Sequence, residues 1–144
     1  MVDIKSSIQL LRQVPLFAGL SENHLKKLAK RLVKRDYENG QVIIAQGKGG
    51  EGLFVIAEGT AQAVRAQPDG EEIVVNEFGE KDYFGELAIL DEGLRTASVI
   101  ATSKVSCFIL TRWDFKGILQ EEPEMAINLL EELAHRFRKA LETL

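Results

Sequence analysis

Apolar residues recur along this chain in three successive rhythms. Over residues 2–35 the spacing is helical: Ile4, Ile8 and Leu11 fall on one face of a first helix, which stops before Pro15. Ser21 reads as the N-cap of a second helix, with Leu25, Leu28, Ala29 and Leu32 on one face and Lys26, Lys27, Lys30 and Arg31 turned away. From Asp36 to Leu110 the rhythm shortens to strands, with apolar runs at residues 42–45, 53–57, 73–75, 99–101 and 105–110. Turn signals separate them: Glu38-Asn39-Gly40, the glycine-rich residues 47–52, Glu58-Gly59 and Pro68-Asp69-Gly70. Asp-Gly between two strand-like runs is a hairpin signal, because Gly accepts positive φ. Many short strands predict a sandwich or barrel, and the absence of crossover helices between them excludes parallel βαβ topology. Helical spacing returns after Leu110. Thr111 and Asp114 suit an N-terminal cap for a short helix holding Trp113 and Phe115, and Pro123 suits a first helical position. Ala126, Leu129, Leu130, Leu133, Phe137, Leu141 and Leu144 then mark one stripe of a last helix. The pattern predicts a mainly β fold with flanking helices: N-terminal helices over 1–35, a strand block over 36–110 and C-terminal helices over 111–144.

Composition narrows the function without naming it. The 144 residues fit one domain, 1–144, large enough to bury a core without a disulfide or a metal. Eighteen Lys and Arg against 22 Asp and Glu leave a net charge of -4, which argues against a bulk electrostatic grip on nucleic acid or an anionic membrane. The Lys26–Arg31 run therefore reads as a solvated helix face, since no aromatic residues interleave it. No apolar run approaches the ~18 residues needed to span a membrane, and the N-terminus lacks the apolar core of a signal peptide. A cytoplasmic setting is the expectation. Cys107 is the single cysteine, which excludes an internal disulfide and a cysteine-rich metal or iron–sulfur site. It lies in an apolar strand with no His nearby in sequence, so a buried core residue is expected rather than a nucleophile. His24 and His135 both fall in helical segments, so a jelly-roll metal site built on barrel strands lacks its ligands. Neither an enzyme nor a metal cofactor is expected.

Two glycine patterns remain. Gly47, Gly49 and Gly52 spell G-x-G-x-x-G, but Leu53-Phe54-Val55-Ile56-Ala57 after them is a strand, not the helix that would receive a pyrophosphate. A dinucleotide site is rejected, and the glycines are assigned to a connection between strands. The second stretch runs over residues 84–98. Gly85 opens a short apolar helical turn, whose first amides suit an anion and whose glycine lets a ligand approach the backbone. Arg95, following a turn at Gly93, brings a planar charged fork, and Thr96 a hydroxyl. Glu86 fits beside an anion if its carboxylate accepts from a hydroxyl on the same ligand, as a sugar phosphate would offer. A plain surface turn, with Arg95 paired to Asp91 or Glu92, stands equally open on spacing alone.

Phe84-Gly85-Glu86-Leu87-Ala88 followed by Arg95-Thr96-Ala97 resembles the phosphate-binding cassette of cyclic-nucleotide-binding domains. Such domains occur in the catabolite activator protein, in regulatory subunits of cyclic-AMP-dependent protein kinase and in cyclic-nucleotide-gated channels. The likeness extends to Leu16-Phe17-Ala18-Gly19-Leu20-Ser21, Asn39-Gly40-Gln41-Val42-Ile43, Gln46-Gly47, Gly50-Glu51, Phe54-Val55-Ile56 and Gly59. It implies an antiparallel jelly roll (a double-stranded β-helix) with N-terminal helices and a C-terminal lid helix. It also implies residue roles in holding cyclic AMP or cyclic GMP. Arg95 would hold the exocyclic phosphate oxygens, Glu86 the ribose 2′-hydroxyl, and Gly85, Leu87 and Ala88 would offer backbone N–H groups. Thr96 would meet phosphate or a guanine amino group. Nucleotide would reposition the helices after the barrel, with Leu130, Leu133 and Phe137 candidates to cover the base. The implied partner beyond the ligand is a second copy through the C-terminal helix, or an effector domain or protein. No helix-turn-helix, kinase or channel module is seen in the chain. A degenerate domain kept only for protein contact is the alternative.

Overall fold

The computed structural model describes residues 3–48, 52–91 and 95–144, with the side chain of Leu87 also outside the description. Two compact units emerge: residues 32–112, and the helices that precede and follow them.

The β unit holds β1 (Val33–Tyr37), β2 (Val42–Ile44), β3 (Gly52–Glu58), β4 (Ala61–Ala66), β5 (Glu72–Phe78), β6 (Tyr83–Phe84), β7 (Ser98–Ala101) and β8 (Val105–Thr111). They form two antiparallel four-stranded sheets, β1-β8-β3-β6 and β2-β7-β4-β5, which is the strand order of a jelly roll. Both sheets feed one core, in which Phe54, Ile56, Phe84, Cys107 and Ile109 of the first meet Ile44, Ala61, Ala63, Val99 and Ala101 of the second. The Asp69-Gly70 hairpin forms where the sequence predicts it. Gly70 takes φ +90°, and Gln67 donates to the Glu71 carbonyl at 2.7 Å to close the turn.

Three strands escape the apolar pattern. The helical period expected through Arg35 ends early, because α2 stops at Ala29 and the chain enters β1 at Val33. β1 reads Val-Lys-Arg-Asp-Tyr and is exposed through Asp36. It is a strand because it pairs with β8 from Val33↔Ile109 to Tyr37↔Val105. β4 is rich in Ala and carries a register shift at Ala63/Val64, which breaks the two-residue alternation. β6 is only two residues long.

The helical unit contains α1 (Ile4–Arg12), a 3-10 turn (Pro15–Phe17), α2 (Glu22–Ala29), α3 (Arg112–Glu121) and α4 (Pro123–Glu142). Asp3 caps α1 by accepting from the Lys5 amide at 3.2 Å, and Ser21 caps α2 by accepting from the His24 amide at the same distance. Leu11, Leu16, Phe17, Leu25, Leu28, Phe115 and Met125 are fully buried, with the Phe17 and Phe115 rings 6.1 Å apart. Two residues of the basic run form ion pairs: Lys27 on α2 pairs with Glu122, and Arg31, just past the end of that helix, has its Nη1 3.5 Å from Asp114.

Pro123 occupies the first turn of α4 as predicted, but the apolar stripe divides. Leu129 is buried together with Met125, which lies off the stripe. Leu130 and Phe137 are 65% and 67% exposed, and Leu141 and Leu144 are exposed too. Among the described residues no helix is long and apolar enough to cross a membrane.

Candidate functional site

The site starts from a core aromatic. Phe84 ends β6 opposite Phe54 on β3, and its ring stacks on Phe54 at 5.1 Å between centroids and meets Phe78 at 5.1 Å. Phe84 is thus an anchor in the barrel core, and it fixes where the following residue leaves the sheet. That residue, Gly85, takes φ +81°, a conformation that disfavours any side chain. A 3-10 turn, Glu86–Ile89, follows. Its first bond runs from the Ala88 amide to the Gly85 carbonyl at 3.0 Å, so the Ala88 N–H is used within the turn rather than held for a ligand.

Arg95 returns to the same place from the other side of the cassette. Its backbone is held like a strand residue: its amide donates to the Lys48 carbonyl and its carbonyl accepts from the Gly47 amide, both at 2.9 Å. Its side chain reaches back to β3, where Nη2 donates to the Gly52 carbonyl at 2.9 Å. The guanidinium occupies the space where a Gly85 side chain would begin. A Cβ built there would stand 2.7 Å from Nη1 and 3.1 Å from Nη2. Nε is buried and has no hydrogen-bond partner among the described residues. Burial pulls the Arg95 pKa below its ordinary value. The fork is half-buried and oriented, and it keeps a donor without a partner among the described residues.

Glu86 and Ala97 are partly buried, Ala97 against the barrel core, while Thr96 is exposed. The Thr96 carbonyl accepts from Arg65 Nε at 3.3 Å. Glu92 and Gly93, and Gly49 of the rejected fingerprint, lie outside the described residues, as does the Leu87 side chain. Two participants went unread in the sequence. Gly52, at φ +147°, holds Arg95 through its carbonyl; a Cβ there would meet the Leu110 carbonyl oxygen at 2.1 Å, so only glycine fits. Arg65 is the other, on a strand that carried no apolar signal.

Cys107 is fully buried in β8, and desolvation, with Asp36 adding and Arg35 opposing, pushes its thiol up to about 12. Such a thiol is not a nucleophile near neutrality.

The β unit is an eight-stranded jelly roll that carries a glycine-backed arginine beside a short helical turn. The chain belongs to the cyclic nucleotide-binding domain family, which it matches over residues 34–122. It is 31% identical over 131 residues to the CRP-like cAMP-activated global transcriptional regulator of Mycobacterium tuberculosis, covering 91% of this chain and 58% of that protein. It is also 37% identical over 125 residues to cGMP-dependent protein kinase, isozyme 1, of Drosophila melanogaster, covering 85% of this chain and 16% of the kinase. Among solved structures it resembles the N-terminal domain of a transcriptional regulator from Streptomyces coelicolor A3(2). That likeness has a TM-score of 0.87 and 32% identity, and covers 94% of this chain and 96% of that one. The chain spans less than two thirds of the length of both curated relatives.

Proposed function

We propose that this chain is a regulatory sensor that binds cyclic AMP, and cyclic GMP as a second ligand, without hydrolysing either. The observation that carries the reading is the Arg95 guanidinium, fixed on the Gly52 carbonyl against Gly85 with Nε left unpartnered. In this reading Arg95 holds the exocyclic phosphate oxygens and Glu86 accepts from the ribose 2′-hydroxyl. Gly85 and Leu87 offer backbone at close range, Phe84 and Ala97 anchor the cassette to the core, and Thr96 meets phosphate or base. Ala88 acts through the turn it closes. A domain kept only for protein contact has no use for a buried guanidinium donor without an acceptor. Titration with each nucleotide tests the proposal. At ligand one hundredfold above Kd, unfolding free energy should rise by about 2.7 kcal/mol. No melting shift and no heat at millimolar ligand would sink it.

The same reading has ligand occupancy alter the disposition of the C-terminal helices, and a second copy of the chain docking along α4. The exposed Leu130, Phe137 and Leu141 support a partner for that helix. Burying three such side chains is worth roughly 5–8 kcal/mol before the entropy of association, which offsets most of it. A weak dimer is the expected outcome, with an association constant that responds to cyclic nucleotide. Sedimentation at rising concentration, with and without ligand, checks this. A strict monomer in both states, with Phe137→Glu changing nothing, would reject it.

A further inference from the structure

The exposed side of α4 is more ordered than a loose apolar patch. Ile127, Leu130, Ala134, Phe137 and Leu141 stand alternately three and four residues apart, and all five are exposed. That is the a/d spacing of a helix pair. Charge lies on one flank of the seam only. Glu131 and Arg138 stand there seven residues apart and line a common groove, and neither has an ion-pair partner among the described residues. The other flank is apolar, with Ala126, Leu133 and Ala140. Glu132 and Arg136, turned away from the seam, pair with one another at 3.6 Å. The charges beside the seam are therefore the ones left for a partner.

We propose that α4 is a self-docking surface on which a second copy of the chain lies antiparallel, with Glu131 of each copy facing Arg138 of the other. The inference rests on the reading above that a second copy docks along this helix, and adds the orientation. Charge carries the first half of it. A two-fold axis across the helices brings like flanks together, whereas an axis along them brings opposite flanks together. The antiparallel pair therefore makes two Glu131–Arg138 ion pairs on one side and closes the alanine-bearing flanks on the other. In a parallel pair both charges meet Ala126, Leu133 or Ala140 and find no partner. Volume carries the second half. The antiparallel register that sets Leu130 level with Leu141 also sets Ala134 level with Phe137, so the smallest seam residue meets the largest. In a parallel pair Ala134 faces Ala134 and leaves a gap, while Phe137 crowds Phe137.

Cysteine cross-linking reads the orientation directly, because the native Cys107 is fully buried, with its thiol pushed up to about 12, and stays silent. Leu130→Cys mixed with Leu141→Cys should form an intermolecular disulfide under mild oxidation, while either variant alone should not. In the antiparallel register the two copies of position 130 stand about 16 Å apart along the axis, beyond the reach of a disulfide. Glu131→Arg and Arg138→Glu should each weaken the dimer about tenfold in sedimentation, and the two changes combined should restore it. Cross-linking of a single variant with itself, a dimer whose mixture does not cross-link, or charge reversals without effect would each overturn the antiparallel orientation and leave docking along α4 standing. A parent that stays monomeric at every concentration would defeat that docking, and this inference with it. Neither result touches nucleotide binding.

Discussion

Arg95→Ala should raise the Kd for cyclic nucleotide by roughly thirty- to several-hundred-fold, a loss of about 2–4 kcal/mol, while leaving the unliganded protein no less stable. The two halves of that expectation share one cause. Among the described residues the guanidinium makes one hydrogen bond, to the Gly52 carbonyl, and keeps a buried Nε without a partner and a half-buried charge desolvated. Removing it discards a poorly compensated group. In the proposed reading the same group supplies the charge-assisted bonds that hold the phosphate, and alanine supplies none. Arg95→Lys should fall between the two, since a single ammonium cannot bond the carbonyl and fork a phosphate together. Isothermal calorimetry beside apo melting curves checks both halves. An Arg95→Ala protein that binds as tightly as the parent would show that the cassette is not the binding site.

Gly85→Ala should also abolish tight binding, but with the opposite signature in the unliganded protein. At φ +81° an alanine is strained, and its Cβ would stand 2.5 Å from the Gly52 carbonyl oxygen as well as against the Arg95 guanidinium. The carbonyl cannot retreat, because Gly52 is wedged against the Leu110 and Arg112 backbone. Arg95 must therefore swing away, and the turn must distort. An apo destabilisation of roughly 2–4 kcal/mol is expected, together with the loss of binding. Because part of the clash is with Arg95 itself, Gly85→Ala combined with Arg95→Ala should cost less stability than the two single changes summed. Denaturant melts of the three variants measure this coupling. Strict additivity would show that the glycine and the arginine do not meet.

The local geometry of the candidate cassette was legible in the sequence because the residues that form it lie close together. Gly85, Glu86, Arg95 and Thr96 lie within one short stretch, and a positive-φ glycine, a 3-10 turn and a hairpin at Asp69-Gly70 all depend on residues a few positions apart. The helix caps at Asp3 and Ser21 and the placement of Pro123 are local for the same reason. What prepares Arg95 is not local. The Gly52 carbonyl that orients it lies 43 residues away, and Arg65, which braces its neighbour, lies 31 residues from Thr96. Nothing near Gly52 in sequence says which strand will press on it; its glycine is demanded by the Leu110 carbonyl of β8. β1 and β4 show the same limit, since an exposed strand and an alanine-rich, register-shifted one are defined by the edges they pair with rather than by their own pattern. The α4 stripe shows it once more: periodicity set its apolar residues on one face, and only packing decided that Leu129 is covered while Leu130 and Phe137 are left to solvent. Hydrogen bonds and torsions spanning a few residues are written in the order of amino acids. Which backbone carbonyl meets which side chain across a barrel is decided only when the strands close on one another.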